Sequence, residues 1–313
     1  MPPINRTMTA AEWGLLIALG LLWGGSYFYN AVALTALPPL TIVAVRVGLG
    51  AAFFFPVVRL TGGRMPRDWA SWRGFFTIGI VNNVIPFTLI VWAQSHVESG
   101  LAAILNATTP LFGVLVAHAL TQDETISPAR VAGVVIGFAG VIVMIGPDAL
   151  AGAGSSVAAE LALLLASLFY AYSGVYGRRF SQAGLKPIVT AAGQMTAAAI
   201  MMVPLALIVD RPWTLPAPGL DVLGALLGLA AISTTLAYVM YYRILATAGA
   251  VNLLLVTFLV PVSAILLGAL FLHERLEASA FLGMAAIGLG LIAIDGRLIR
   301  RFRPRHTSMR AKK

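Results

Sequence analysis

The chain contains no cysteine among its 313 residues, which removes disulfides, thiolate metal sites and cysteine nucleophiles from consideration. Charge is scarce as well. Only 11% of the residues are Asp, Glu, Lys or Arg, against about 25% in soluble globular chains. With 59% apolar residues and a mean hydropathy of +0.89, the chain cannot clothe a conventional water-facing surface, and lipid is its expected solvent. There is no phosphate-binding loop, no Ser-His-Asp set and no paired-carboxylate arrangement. His96, His118, His273 and His306 are scattered without ligand spacing. No metal, no cofactor and no enzymatic activity is therefore expected. A membrane enzyme acting on lipid-linked substrates would normally need a carboxylate, histidine or metal cluster at membrane depth, and none is visible.

What is present is a series of apolar runs. A spanning helix needs roughly 20 mostly apolar residues, and that length gives ten spans. They lie at about 12–30, 39–60, 71–93, 98–120, 128–146, 157–178, 186–209, 219–242, 249–272 and 276–298. The first reads as a retained membrane helix, because no signal-peptidase site follows it. The connections are short, so no soluble domain is expected between spans.

The formal charge of +9 raises the question of nucleic acid, but 8 of the 21 basic residues fall between Arg297 and Lys313. They read as a juxtamembrane basic tail facing anionic lipid, and no nucleic-acid partner is expected. The remaining basic residues orient the chain. With the N-terminus inside, the cytoplasmic side receives 18 Lys and Arg, and the outer side only Arg211 and Arg275. Cytoplasmic loops carry this excess, so ten spans with both termini cytoplasmic are predicted.

The halves repeat. Glu124, Gly133 and Gly140 fall on Glu274, Gly283 and Gly290 at a shift of 150, Arg46 on Gln194 at 148, and Pro110 on Pro261 at 151. Five spans per copy is an odd number, so the second copy enters the bilayer from the opposite side. The predicted organisation is a first five-helix repeat over 1–150, a second over 151–299 and a basic cytoplasmic tail over 300–313. Inverted repeats of this kind are a common transporter architecture.

Several motifs resemble the drug/metabolite transporter superfamily, specifically its ten-helix EamA-type branch. They are Trp23-Gly-Gly-Ser-Tyr-Phe28 in span one, Gly100-Leu-Ala-Ala-Ile-Leu-Asn-Ala-Thr-Thr-Pro-Leu111 in span four, and a glutamate after the fourth helix of each half. Gly-spaced closing helices follow, at 133–140 and 283–290. Span six departs from the pattern, with Phe169-Tyr-Ala-Tyr-Ser173 where span one has Trp23-Gly-Gly-Ser26. The resemblance implies an all-α membrane protein whose spans one, three, four, six, eight and nine surround a central cavity, with spans five and ten peripheral. It also implies a secondary transporter of small metabolites, most like the bacterial amino-acid exporters, working by alternating access in an inner (plasma) membrane. Other polar metabolites, drugs or a lipid-flippase role are the alternatives. A small-molecule substrate and membrane lipid are the expected partners, and the oligomeric state is left open, a monomer being compatible with the count.

All twelve acidic residues sit at or near span ends or in connections. Ionisable groups at the bilayer centre usually mark proton or ion pathways, so a carboxylate-based proton relay is not expected. Arg46 is the one basic residue deep in a span. It is either an anchor for a substrate carboxylate or a snorkelling, carbonyl-paired arginine, and its place about seven residues into span two favours the second. Polar and aromatic side chains near mid-span must face a wet cavity or another helix. The candidate substrate-binding set is Trp23, Ser26, Tyr27, Asn83, Trp92, Asn106, Tyr170, Ser173, Tyr238 and Tyr241. Trp92 and Tyr241 also read as interfacial aromatics. Pro86, Pro110 and Pro261 interrupt cavity spans, each removing a backbone donor, and are candidate hinges.

Overall fold

The computed structural model describes residues 8–121, 127–145 and 155–295. Among them every regular element is helical. The basic tail, Glu124 and the junction between the two halves at 150/151 lie outside the described residues. Eight helices are long and apolar enough to cross a membrane: α1 (Ala10–Leu34), α2 (Pro39–Leu60), α3 (Trp69–Gln94), α4 (Ser99–Leu120), α5 (Pro128–Ile145), α6 (Ser155–Gln182), α7 (Pro187–Val209) and α8 (Leu220–Thr247). Two further apolar helices complete the ten, α9 (249–271) and α10 (Ala278–Asp295). Large apolar side chains such as Ile142, Ile208 and Leu270 remain more than 65% exposed. A water-soluble fold would bury them, and an apolar outer face of this extent suits lipid.

The helix starts follow from local chemistry. Thr9 and Glu12 form a reciprocal cap on α1, with Thr9 N–H donating to Glu12 Oε2 at 2.8 Å and Glu12 N–H to Thr9 Oγ1 at 3.3 Å. Asp68 accepts Ser71 N–H at 2.7 Å at the start of α3. Two other helices are capped from across the molecule. Asp210, just after α7, accepts both the backbone N–H (2.7 Å) and the hydroxyl (2.9 Å) of Thr41 in the first turn of α2. Glu274, in the connection after α9, accepts the N–H groups of Ser99 (3.0 Å) and Gly100 (3.4 Å) that open α4. A carboxylate beside the positive end of a helix is favourable. Both acids neighbour a residue in the left-handed region, Arg211 at φ 49° and His273 at φ 57°, where the chain turns sharply.

Helix neighbours come in image pairs. α1 packs on α8 and α9, and its counterpart α6 packs on α3 and α4. α2 touches α8 as α7 touches α3. The remaining principal contacts, α2 with α7, α5 with α10 and α4 with α9, are their own images. The α5–α10 seam makes the symmetry explicit. A Cβ on Gly133 would lie 2.5 Å from the Gly290 carbonyl oxygen, and one on Gly140 would lie 2.7 Å from that of Gly283. Under the 150-residue shift, each of these contacts becomes the other. Two inverted five-helix repeats meeting on a pseudo-two-fold axis produce this pattern. Small residues let the two backbones approach this closely.

Four spans depart from simple α-helix. Ile80–Val84 in α3 and Gly228–Leu236 in α8 are wide, π-type turns at corresponding places in the two halves. Such turns often accompany functional sites. α4 breaks at Ala107–Thr108 and α9 at Leu254–Leu255. The candidate hinge prolines take different places relative to these irregularities. Pro86 directly follows the wide turn of α3, which Ile85 N–H closes on Ile80 O. Pro110 is the second residue after the α4 break, where a helix has no use for the missing donor. Pro261 lies six residues into the segment after the α9 break, so the two prolines paired by sequence are not equivalent in the fold.

Candidate functional site

The bundle encloses a cavity of about 640 Å³. It extends from the middle of the bundle, at Trp23 on α1 and Ala107 on α4, to Ser181, Leu185 and Pro187 at the α6–α7 connection. The opposite end, where Asp210 and Glu274 cap α2 and α4, contributes no lining. There a buried amide cluster fills the space between helices. Asn30 Nδ2 donates to Gln94 Oε1 at 2.9 Å, and Gln94 Nε2 donates to the Tyr27 carbonyl at 2.9 Å and to Ser99 Oγ at 3.2 Å.

Of the candidate residues, Trp23, Ser26, Tyr27, Asn106, Tyr170, Ser173, Tyr238 and Tyr241 all line the cavity. Two polar relays organise them. On one wall Asn106 Nδ2 donates to Tyr27 OH at 2.8 Å, while Ser167 Oγ donates to Asn106 Oδ1 at 3.1 Å. On another Asn82 Nδ2 donates to Tyr238 OH at 3.0 Å, and Ser173 Oγ donates to Asn82 Oδ1 at 2.7 Å. Gln194 Oε1 stands 3.5 Å from the same Asn82 amide. Each relay joins three helices, so the hydroxyls are held by partners rather than by packing alone. An aromatic wall completes the site: Trp23 lies 5.6 Å from Tyr241, and Tyr241 lies 5.1 Å from Tyr242 between ring centroids.

Two candidates lie elsewhere. Trp92 is 37% exposed, with its ring 4.8 Å from that of His96, and does not line the cavity. Its place near the end of α3 suits an interfacial aromatic. Asn83 is fully buried against α7, with Nδ2 at 3.9 Å from Met195 Sδ and Oδ1 without a hydrogen-bond partner. It is Asn82 that reaches the cavity. The wide turn at 80–84 sets which of the two asparagines faces inward, because its extra residue per turn rotates the helix face.

Arg46 is the main correction. Far from snorkelling, it is 7% exposed and lines the cavity. Its guanidinium carbon sits 3.7 Å from the Phe87 ring centroid, and its Nε donates to Thr234 Oγ1 at 3.0 Å. The wide turn of α8 prepares that acceptor, since Thr234 Oγ1 donates in turn to the carbonyl of Leu229, five residues back. Tyr27, Tyr170 and Tyr238 line the same cavity as Arg46. Among the described residues no carboxylate pairs with it, and no group of three His, Asp or Glu side chains converges anywhere.

Known proteins of similar sequence cover nearly the whole chain. Protein PecM of Dickeya dadantii is 26% identical over 277 residues, spanning 88% of this chain and 89% of PecM. The inner membrane transporter YedA of Escherichia coli K12, named as uncharacterized, is 28% identical over 290 residues and 90% of each chain. A crystal structure with 21% sequence identity superposes with a TM-score of 0.67, covering 95% of this chain and all of the other, which establishes the shared fold. The family match occurs twice, once in each half, at residues 12–146 and 157–294. The chain is therefore an integral membrane protein and belongs to the EamA-like transporter family.

Proposed function

We propose that the protein is a secondary transporter that moves small polar metabolites, amino acids among them, by alternating exposure of one central site, with export as its direction. The observation that carries this reading is a polar and aromatic cavity that reaches one end of the bundle and is closed at the other. A volume of about 640 Å³ lies within the range of roughly 300–1,000 Å³ usual for small-molecule sites. Closure rests on links between the halves: Asp210 to Thr41, and Glu274 to Ser99 and Gly100. The excess of Lys and Arg predicted for the cytoplasmic side favours an inward-facing state, since the open end is the α6–α7 connection bearing Arg178, Arg179 and Lys186. Inverted repeats supply the second state by exchanging the conformations of the halves. The inner membrane named for YedA is the compartment we propose here.

The test is flux in proteoliposomes across a panel of amino acids, organic acids and other metabolites. Transport of at least one is expected, and no flux for any of them by folded protein would defeat the proposal. In the same assay Trp23→Ala, Asn82→Ala and Tyr238→Ala are each expected to lower flux at least tenfold, about 1.4 kcal/mol of solute interaction. Trp92→Ala, outside the cavity, is expected to leave flux within about twofold of wild type, a difference of roughly 0.4 kcal/mol. Wild-type flux in all three cavity variants would remove the site assignment.

A further inference from the structure

Arg46 poses a problem that the transport reading alone does not solve. Burying a cation without a counter-charge is costly, and buried charges are normally paired. Arginine carries five N–H donors. One, on Nε, is taken by Thr234, and one face of the guanidinium is covered by Phe87. The four remaining N–H donors have no protein acceptor among the described residues. Those four form the end of the fork, the geometry that accepts a carboxylate through two parallel hydrogen bonds. Among the described residues, no glutamate or aspartate lines the cavity. The amide oxygens of Asn82, Asn106 and Gln194 each already face a donor. The cavity therefore offers a positive anchor without a negative one.

We propose that Arg46 holds the carboxylate of the transported solute, and that the site selects net-anionic organic carboxylates over zwitterions and cations. The inference rests on the transporter reading and narrows its substrate class. An amino acid would bring an ammonium group to a cavity with no carboxylate among its described lining residues, while an acid lacking that group leaves the charge balanced. The body of the solute meets Phe87, Trp23, Ile90 and Val260, so the preferred anion is one with an apolar or aromatic portion rather than a small inorganic ion.

The experiment is calorimetric titration of the purified full-length protein in lipid nanodiscs with four probes of one shape. They are phenylacetate, its neutral amide, phenylalanine and phenethylamine, with inorganic phosphate as a fifth ligand. Phenylacetate is expected to bind at least tenfold more tightly than each of the others. Arg46→Gln is expected to abolish that preference and Arg46→Lys to retain part of it. No binding of phenylacetate to the wild type, equal or tighter binding of phenylalanine, phenethylamine or phosphate, or an undiminished anion preference in folded Arg46→Gln overturns the proposal. The wild-type series decides the matter alone should the variant not fold. Flux of zwitterions or cations in proteoliposomes, with anions refused, sinks this inference and spares the transport reading; no flux of any solute sinks the transport reading itself.

Discussion

Gly140→Val is expected to leave little folded protein to purify. A Cβ at this position would stand 2.7 Å from the Gly283 carbonyl oxygen, 2.8 Å from Ala286 Cβ and 3.1 Å from Ile287 N. Two of these three neighbours are backbone atoms, which cannot rotate aside as a side chain can. The helices α5 and α10 would have to separate along their whole crossing. Overpacking in ordinary cores costs about 1–3 kcal/mol, and a rigid seam belongs at or above the top of that range. Against a total stability of roughly 5–15 kcal/mol, the loss is large. Size-exclusion profiles and thermal unfolding in detergent measure it. Gly174→Ala serves as the control, because nothing lies within 4 Å of the added carbon, and it should behave as wild type. A Gly140→Val protein that elutes and melts like the native chain would contradict the packing described for this seam.

The second large effect is expected from Gln94→Leu at the closed end. Gln94 is 8% exposed, and its side-chain amide joins α1, α3 and the start of α4 through three hydrogen bonds. Leucine fills a similar volume but strands Asn30, which is 1% exposed and whose Oδ1 already lacks a partner. A buried polar group left unsatisfied costs about 1–3 kcal/mol, enough to lower the unfolding temperature by several degrees. The loss falls at the closed end, so the population of molecules open there should rise. The native chain has no cysteine, which allows one to be introduced as a reporter. Ala33→Cys, at a position that is 0% exposed, is expected to react with a water-soluble maleimide at least tenfold faster in the Gln94→Leu background. That factor corresponds to about 1.4 kcal/mol in the opening equilibrium. Equal labelling rates in the two backgrounds would separate the amide cluster from gating.

Much of the architecture was legible in residue order. Runs of about 20 apolar residues located the ten helices, because lipid requires each span to satisfy its own backbone. The match of Gly133 and Gly140 with Gly283 and Gly290 marked the closing helices as equivalents, and the fold shows that they cross on each other by close backbone approach. Eight of the ten candidate side chains line the cavity, since polar side chains have few other places to go in an apolar bundle.

What escaped was register and reach. Depth in the span chose Asn83 over its neighbour Asn82, and the wide turn that decides which of the two faces inward leaves no mark in composition. Arg46 looked close enough to its helix end to snorkel, and only the fold places it under Phe87 and beside Thr234, 188 residues away. Asp210 read simply as a residue between spans, and Glu274 as a mark of the repeat with no partner of its own. Their partners, Thr41 and Ser99, lie 169 and 175 positions off, a distance that no local pattern spans.

The unequal chemistry of one paired position bears on which way the carrier rests. Thr41 gives its hydroxyl to Asp210, whereas Val189, which takes its place one repeat later, has no hydroxyl to give. A duplicated protein with identical copies would divide its time evenly between its two orientations. Each mismatch between the copies tilts that balance, and one hydrogen bond worth about 1 kcal/mol already shifts it roughly fivefold. On the transport reading proposed above, the empty carrier would wait with its mouth toward the α6–α7 connection.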